Sequence, residues 1–142
     1  MLTACVDQAT EQLVRIKLNS IFVDDQAKAL RFYTEVLGFN KKQDFPAGGA
    51  RWITVTSPEG PDDLELVLEP NGHPAASAYQ TALRNDGIPC TAFESSDIHA
   101  EIQRLKDRGV IFTMGPMDAG TVTIAVFSDT CGNLIQIYQV KT

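Results

Sequence analysis

Apolar and polar positions along the chain change period in a fixed order, and they do so twice. Residues 15–23 (RIKLNSIFV) are predicted as a strand. From 25 to 37 (DQAKALRFYTEVL) the period becomes helical, with Leu30, Tyr33 and Leu37 on one face and Ala29 and Phe32 flanking it. Asp25 is placed to accept from the first free N–H groups as an N-cap, and Gly38 to end the helix. A short strand at 39–45 follows, then two runs, 51–57 (RWITVTS) and 63–69 (DLELVLE), joined by the turn PEGPD. The second copy reads 88–95 (IPCTAFES) as a strand and 97–108 (DIHAEIQRLKDR) as a helix. Ile98, Ile102 and Leu105 share its face, Asp97 starts it and Gly109 closes it. Strands at 111–114, 121–128 (TVTIAVFS) and 133–140 (NLIQIYQV) complete it, the last two joined by DTCGN.

Asp25 and Asp97 are 72 residues apart, and Gly38 and Gly109 are 71 apart. Such self-similarity predicts an α+β chain of two tandem βαβββ modules, forming a curved mixed sheet around a cleft. The expected organisation is an N-terminal extension (1–12), a first module (13–70), a helical linker (71–87) and a second module (88–142), one domain in all. Within the linker, Pro74 opens a short helix through Leu83 and Gly87 ends it. Ala75, Ala78, Tyr79 and Ala82 mark its expected packing face.

Strand alternation sorts side chains into two rows. Leu64, Leu66 and Leu68, Ile53 and Val55, Ile21 and Val23, Ile135 and Ile137, and Val122, Ile124 and Val126 are expected to pack under the helices. The opposite rows then carry Trp52, Thr54 and Thr56, Glu65, Val67 and Glu69, Thr123, Ala125 and Phe127, and Leu134, Gln136 and Tyr138, together with Leu18, Ser20 and Phe22. A solvated sheet face carries more charge than this. An apolar, aromatic surface with few polar groups is the makeup of a small-molecule cleft or of a subunit interface.

Composition narrows the classes. Hydrophobic residues make up 44% and charged residues 21%, the balance of a globular domain. Lys+Arg is 12 against 18 Asp+Glu, a net charge of −6, which argues against nucleic acid as a partner. No apolar run is long enough to span a membrane. Cys5, Cys90 and Cys131 are odd in number and without a CxxC, and the N-terminus lacks an apolar signal region; both point to free thiols in the cytoplasm.

The run VDDQAKALRFYTEVLGF (23–39), the strand end ELVLEP (65–70) and DTCGNLIQIYQ (129–139) resemble, in order, the glyoxalase/bleomycin-resistance/dioxygenase proteins, the vicinal oxygen chelate superfamily. The resemblance implies two βαβββ modules around a shared cavity and, commonly, a homodimer. It also implies a choice among activities: isomerase, lyase, dioxygenase, or non-catalytic sequestration of a drug.

Metal-using members place a ligand on the first and last strand of each module. By the resemblance those positions fall at Leu18, Glu65, Cys90 and Gln136. Leu18 has no donor atom, so the divalent ligand set is incomplete; Glu65 and Gln136 are the only oxygen donors in it. No cofactor is therefore expected. His73, before Pro74, is expected as a loop residue or helix cap, and His99 as a solvated helix residue.

Glu65 has three readings: a general base with its pKa raised by an apolar cavity, an anchor for a cationic ligand, or a remnant bonded to Gln136 or an arginine. The expected ligand-binding set is Trp52, Thr54, Glu65, Cys90, Thr123, Phe127, Gln136 and Tyr138. Of these, Trp52, Phe127 and Tyr138 either stack on a flat ligand or fill the sheet, and Cys90 reads as a small hydrophobe. The functional expectation is a small-molecule-binding member without the usual catalytic metal. The alternatives are a metal-dependent lyase or dioxygenase using Glu65 and Gln136, and a structural or regulatory dimer.

Overall fold

A computed structural model describes residues 13–142. The expected extension at 1–12 lies outside the described residues. Both modules are present. The first comprises β1 (Leu18–Val23), α1 (Gln26–Arg31), β2 (Asn40–Ala47), β3 (Ala50–Thr56) and β4 (Glu65–Pro70). After the linker helix α2 (Pro74–Asn85) come β5 (Thr91–Glu94), α3 (Ile98–Asp107), β6 (Phe112–Asp118), β7 (Val122–Ser128) and β8 (Leu134–Val140). Each module makes a four-stranded mixed sheet of the same order, β1-β4-β3-β2 and β5-β8-β7-β6, with the first and last strands parallel.

Local chemistry explains the helices. Asp25 and Asp97 cap α1 and α3, accepting from Lys28 N and Ala100 N. His73 caps α2 through Nδ1, which accepts from Ala75 N. Helix α1 does not end at Arg31: it continues as a π-helical turn over Phe32–Val36, where Leu37 N donates to Phe32 O at 2.9 Å. The extra residue in that turn leaves both Phe32 and Tyr33 buried.

Helix-side residues of both sheets belong to one core: Ile21, Ile53 and Leu68 from the first, Ala125, Ile135 and Ile137 from the second. Phe32 packs on Phe127 at 6.2 Å, and Phe39 meets Phe93 edge-on at 5.3 Å. Below this seam lies Asp129, fully buried. Its carboxylate accepts from Tyr33 Oη at 2.7 Å, Cys131 N at 2.7 Å, Asn133 N at 3.0 Å and Asn133 Nδ2 at 2.8 Å. Burial, and then the Asp129 charge, push the Tyr33 hydroxyl well above its ordinary pKa, so it stays a neutral donor.

The linker helix packs differently from expectation. Its buried positions are Ala76 and Gln80, while Ala75, Ala78, Tyr79 and Ala82 face outward. The anchor is polar: Gln80 Nε2 donates to Phe22 O, Cys131 O and Asn133 Oδ1 at 2.9–3.0 Å, bolting β1 to the loop before β8. Gly132 permits this approach, since a Cβ there would lie 2.7 Å from Gln80 Nε2 and its φ is +100°.

Tyr33→Phe keeps the ring and removes one donor from a buried carboxylate. It should lower stability by about 1–3 kcal/mol, read as a lower urea midpoint with an unchanged slope. An unchanged midpoint would show that the Tyr33–Asp129 bond contributes nothing.

Candidate functional site

Register decides which side chains share a face, because directly paired residues point the same way. In the first sheet Leu18 pairs with Glu65, Ser20 with Val67 and Thr54 with Val67. Strand β2 adds Gln43 opposite Thr54 and Phe45 opposite Trp52. The row away from the helices therefore carries two carboxylates, Glu65 and the half-buried Glu69, and the Gln43 amide among apolar and hydroxyl side chains. Trp52, Thr54 and Glu65 share it, as the alternation predicts.

Glu65 is 4% exposed, and its partners are fully supplied by its own module. Oε1 accepts from Thr54 Oγ1 at 2.7 Å and from Gln43 Nε2 at 2.6 Å; Oε2 sits 3.1 Å from Lys17 Nζ. Lys17 is positioned by the backbone, its carbonyl accepting from Glu65 N at 2.9 Å. An unpaired buried carboxylate costs several kcal/mol and takes up a proton instead. Here the Thr54 hydroxyl, the Gln43 amide and the Lys17 ammonium outweigh burial and hold Glu65 down at about 2. This overturns the expectation of a raised pKa. A carboxylate held that low is a poor base near neutrality and a persistent negative charge. Neither Gln136 nor an arginine is among its hydrogen-bond partners. Lys17 and Gln43, which complete the site, were missed by sequence reasoning. Their only signal was the strand register.

In the second sheet Gln136 pairs with Val126 and Ala92, and Tyr138 with Ile124 and Glu94. Gln136 and Tyr138 are half-buried on the face away from the helices, as expected. Strand β7 is turned the other way from expectation. Ala125 and Phe127 are fully buried in the shared core, and Thr123 pairs with Gln139, whose Oε1 accepts from Ile98 N at the start of α3. Phe127 packs on Phe32 and on Phe112 at 5.6 Å. Thr123 and Phe127 are therefore removed from the candidate site, and Ile124 and Val126 take their places. Both rows of TVTIAVF are largely apolar, so alternation alone carried no orientation.

Cys90 is also displaced. The residue opposite Gln136 is Ala92, and Cys90 precedes β5, half-buried against the core. It lines a crevice of about 120 Å³ with Phe22, Gln80, Leu83 and Leu134. Burial, with the Asp129 charge, pushes its thiol up to about 11, so it is neither a thiolate nucleophile nor a ready ligand. The two rows stay on separate sheets: among the described residues no hydrogen bond or ion pair joins Glu65, Thr54 or Trp52 to Gln136 or Tyr138.

The donor set does not fit a divalent ion. Leu18 and Ala92 offer only carbon, and the Glu65 oxygens are already taken by three donors. Among the described residues no three His, Cys, Asp or Glu side chains are grouped as a metal site would need. His73 and His99 are both exposed and remote in role, one a cap and one on the outer face of α3.

Comparison with known proteins fits this geometry. Residues 10–137 match the model of the Glyoxalase/Bleomycin resistance protein/Dioxygenase superfamily. YurT of Bacillus subtilis, an uncharacterized protein, is 57% identical over 126 residues, covering 89% of this chain and 99% of that one. A probable lactoylglutathione lyase of Synechocystis is 29% identical over 126 residues, covering 86% and 92%. Among solved structures, TnmS3, an antibiotic binding protein from Streptomyces, superposes with a TM-score of 0.73 at 30% identity, covering 91% of this chain and 98% of that one.

The Glu65 pKa sets a sign for stability. It is depressed from 4.5 to about 2, so the stabilisation is fully present above the unfolded value and is lost as pH falls through that window. Acid unfolding of the wild type should steepen between those values, and Glu65→Gln should flatten the curve there. Parallel wild-type and mutant curves would place the carboxylate outside this network.

Proposed function

Because the chain belongs to the Glyoxalase/Bleomycin resistance protein/Dioxygenase superfamily, we propose that it binds a small, partly apolar molecule carrying a cationic or proton-donating group, on the face that holds Glu65, and that it does so without a catalytic metal. The observation that carries this reading is the ionised, pre-positioned Glu65 on a row that also holds Trp52, Thr54 and Leu18. Trp52, half-buried beside Thr54, supplies a surface for a flat ring. A ligand amine displaces Lys17, whose side chain is 43% exposed and held by one ion pair and one carbonyl, so the exchange costs little ordering. Gln136 and Tyr138, on the corresponding face of the second sheet, belong to the same proposed ligand-binding set.

Likeness to an antibiotic binding protein supports binding over turnover. The competing reading, a metal-dependent lyase, is favoured by the relative with that name. It needs ligands that Leu18 and Ala92 do not provide. The apolar side chains left exposed on and before β1, Ile16, Leu18 and Phe22, support burial against a second copy of the chain with twofold symmetry. Free Cys90 and Cys131 support a reducing, cytoplasmic setting.

The test uses the chain's one tryptophan. Flat aromatic amines screened against a sedimentation-verified dimer should give saturable quenching of Trp52. Glu65→Gln should weaken the best of them by about tenfold, the loss of one charge-assisted hydrogen bond. Protein purified without chelator should carry substoichiometric metal. Stoichiometric iron, nickel, manganese or zinc, or amine binding indifferent to Glu65→Gln, would overturn the proposal.

A further inference from the structure

The chain carries a net charge of −6, yet three of its 12 Lys and Arg residues and one of its 18 acids border a single depression on the helix side, away from Glu65. Lys28 and Arg31 stand on one wall, on α1, and Arg108, just beyond α3, on the other. Phe32, Val36 and Val110 also line it, Phe32 and Val110 being buried, and its volume is about 350 Å³, within the range of small-molecule sites. We propose that this depression is a second binding site, and that it takes a small organic anion: a carboxylate or sulfonate on an apolar body of one or two rings.

Each part of that chemistry has a residue behind it. Arg31 is exposed, and among the described residues its guanidinium has no hydrogen-bond or ion-pair partner. Arg108 Nη1 donates to Glu35 O at 2.7 Å, which fixes the side chain over the depression and leaves its other donors for a ligand. Lys28 is shared with Asp24 at 3.2 Å, so its charge is partly spent. Asp24, Asp25 and Glu35 equal the three cations in number, so the attraction rests on the free guanidinium donors of Arg31 and Arg108 at the rim and not on a net charge. Shape and donors together specify an amphipathic anion: a bare inorganic anion leaves half-buried Val36 uncovered, and a neutral aromatic leaves the guanidinium unpaired.

Two irregular backbone segments border the same depression. The π-helical turn spans Phe32–Val36. Across from it Thr130 holds φ +63°, a left-handed conformation that costs a β-branched residue free energy. Such features persist where the surrounding structure fixes them, and here they shape one concavity.

Amide NMR of the intact chain titrated with 2-naphthoate, and in parallel with neutral 2-naphthamide, tests the site. Naphthoate should give saturable shifts centred on Val36, Val110 and Thr130, weakening as salt is raised. Naphthamide should bind about tenfold more weakly or not at all. Arg31→Gln, an exposed change that leaves the dispersion of the spectrum intact, should reduce naphthoate affinity several-fold. Equal binding of acid and amide, no saturable shift, or shifts confined to Trp52 and Thr54 would overturn the proposal. The last outcome leaves the Glu65 face untouched as a binding site, so the two sites fail separately.

Discussion

One buried carboxylate, Asp129, joins the two modules: three of its four hydrogen bonds order its own loop and the fourth crosses from Tyr33. Asp129 sits in the loop between β7 and β8, and its donors come from that same loop and from Tyr33 on the first module's helix. Burying a charge this deeply costs several kcal/mol unless its lone pairs are matched. All four positions are matched, so the loop conformation and the docking of α1 stabilise each other. The segments around Tyr33 and Asp129 are thus two halves of one contact. Gln80 acts alongside it, spending a single amide nitrogen on three oxygens to tie the linker helix to both modules.

Glu65 is the other buried carboxylate of this kind, and its surroundings give it a different use. Asp129 is bound by backbone and side-chain donors that cannot leave without unfolding the loop. Glu65 is held by Thr54 and Gln43 from neighbouring strands and by a half-exposed Lys17. One of its three partners is therefore half-exposed and held by few contacts. Where the first and last strands of each module pair, this chain has carbon at Leu18 and Ala92, and a lysine beside Glu65. The lysine supplies a charge that compensates the buried carboxylate.

What the sequence disclosed follows from range. Caps and glycine stops act within a few residues, so Asp25, Asp97, Gly38 and Gly109 announced both helices, and the two-module architecture followed from their spacing. The faces of β1, β3, β4 and β8 were legible because one row in each carried polar or small residues. Strand β7 was not, since TVTIAVF is apolar on both rows and only its pairing with Ile135 and Ile137 turns Phe127 inward. The linker helix misled for a related reason: alanine tolerates either side, and the anchoring residue is Gln80, a polar side chain buried because its bonds are satisfied. The partners of Glu65 were hidden because Lys17 and Gln43 approach it through strand register, which no local pattern encodes.

The central claim is that Glu65 is a standing negative charge on the sheet face away from the helices rather than a base awaiting a proton. A carboxyl-carbon NMR titration of Glu65 in the ligand-free chain measures this directly. The structure predicts a midpoint near the acid limit of the folded range, at about 2. A midpoint at or above the ordinary carboxyl value of 4.5 would contradict it and return Glu65 to the role of a general base.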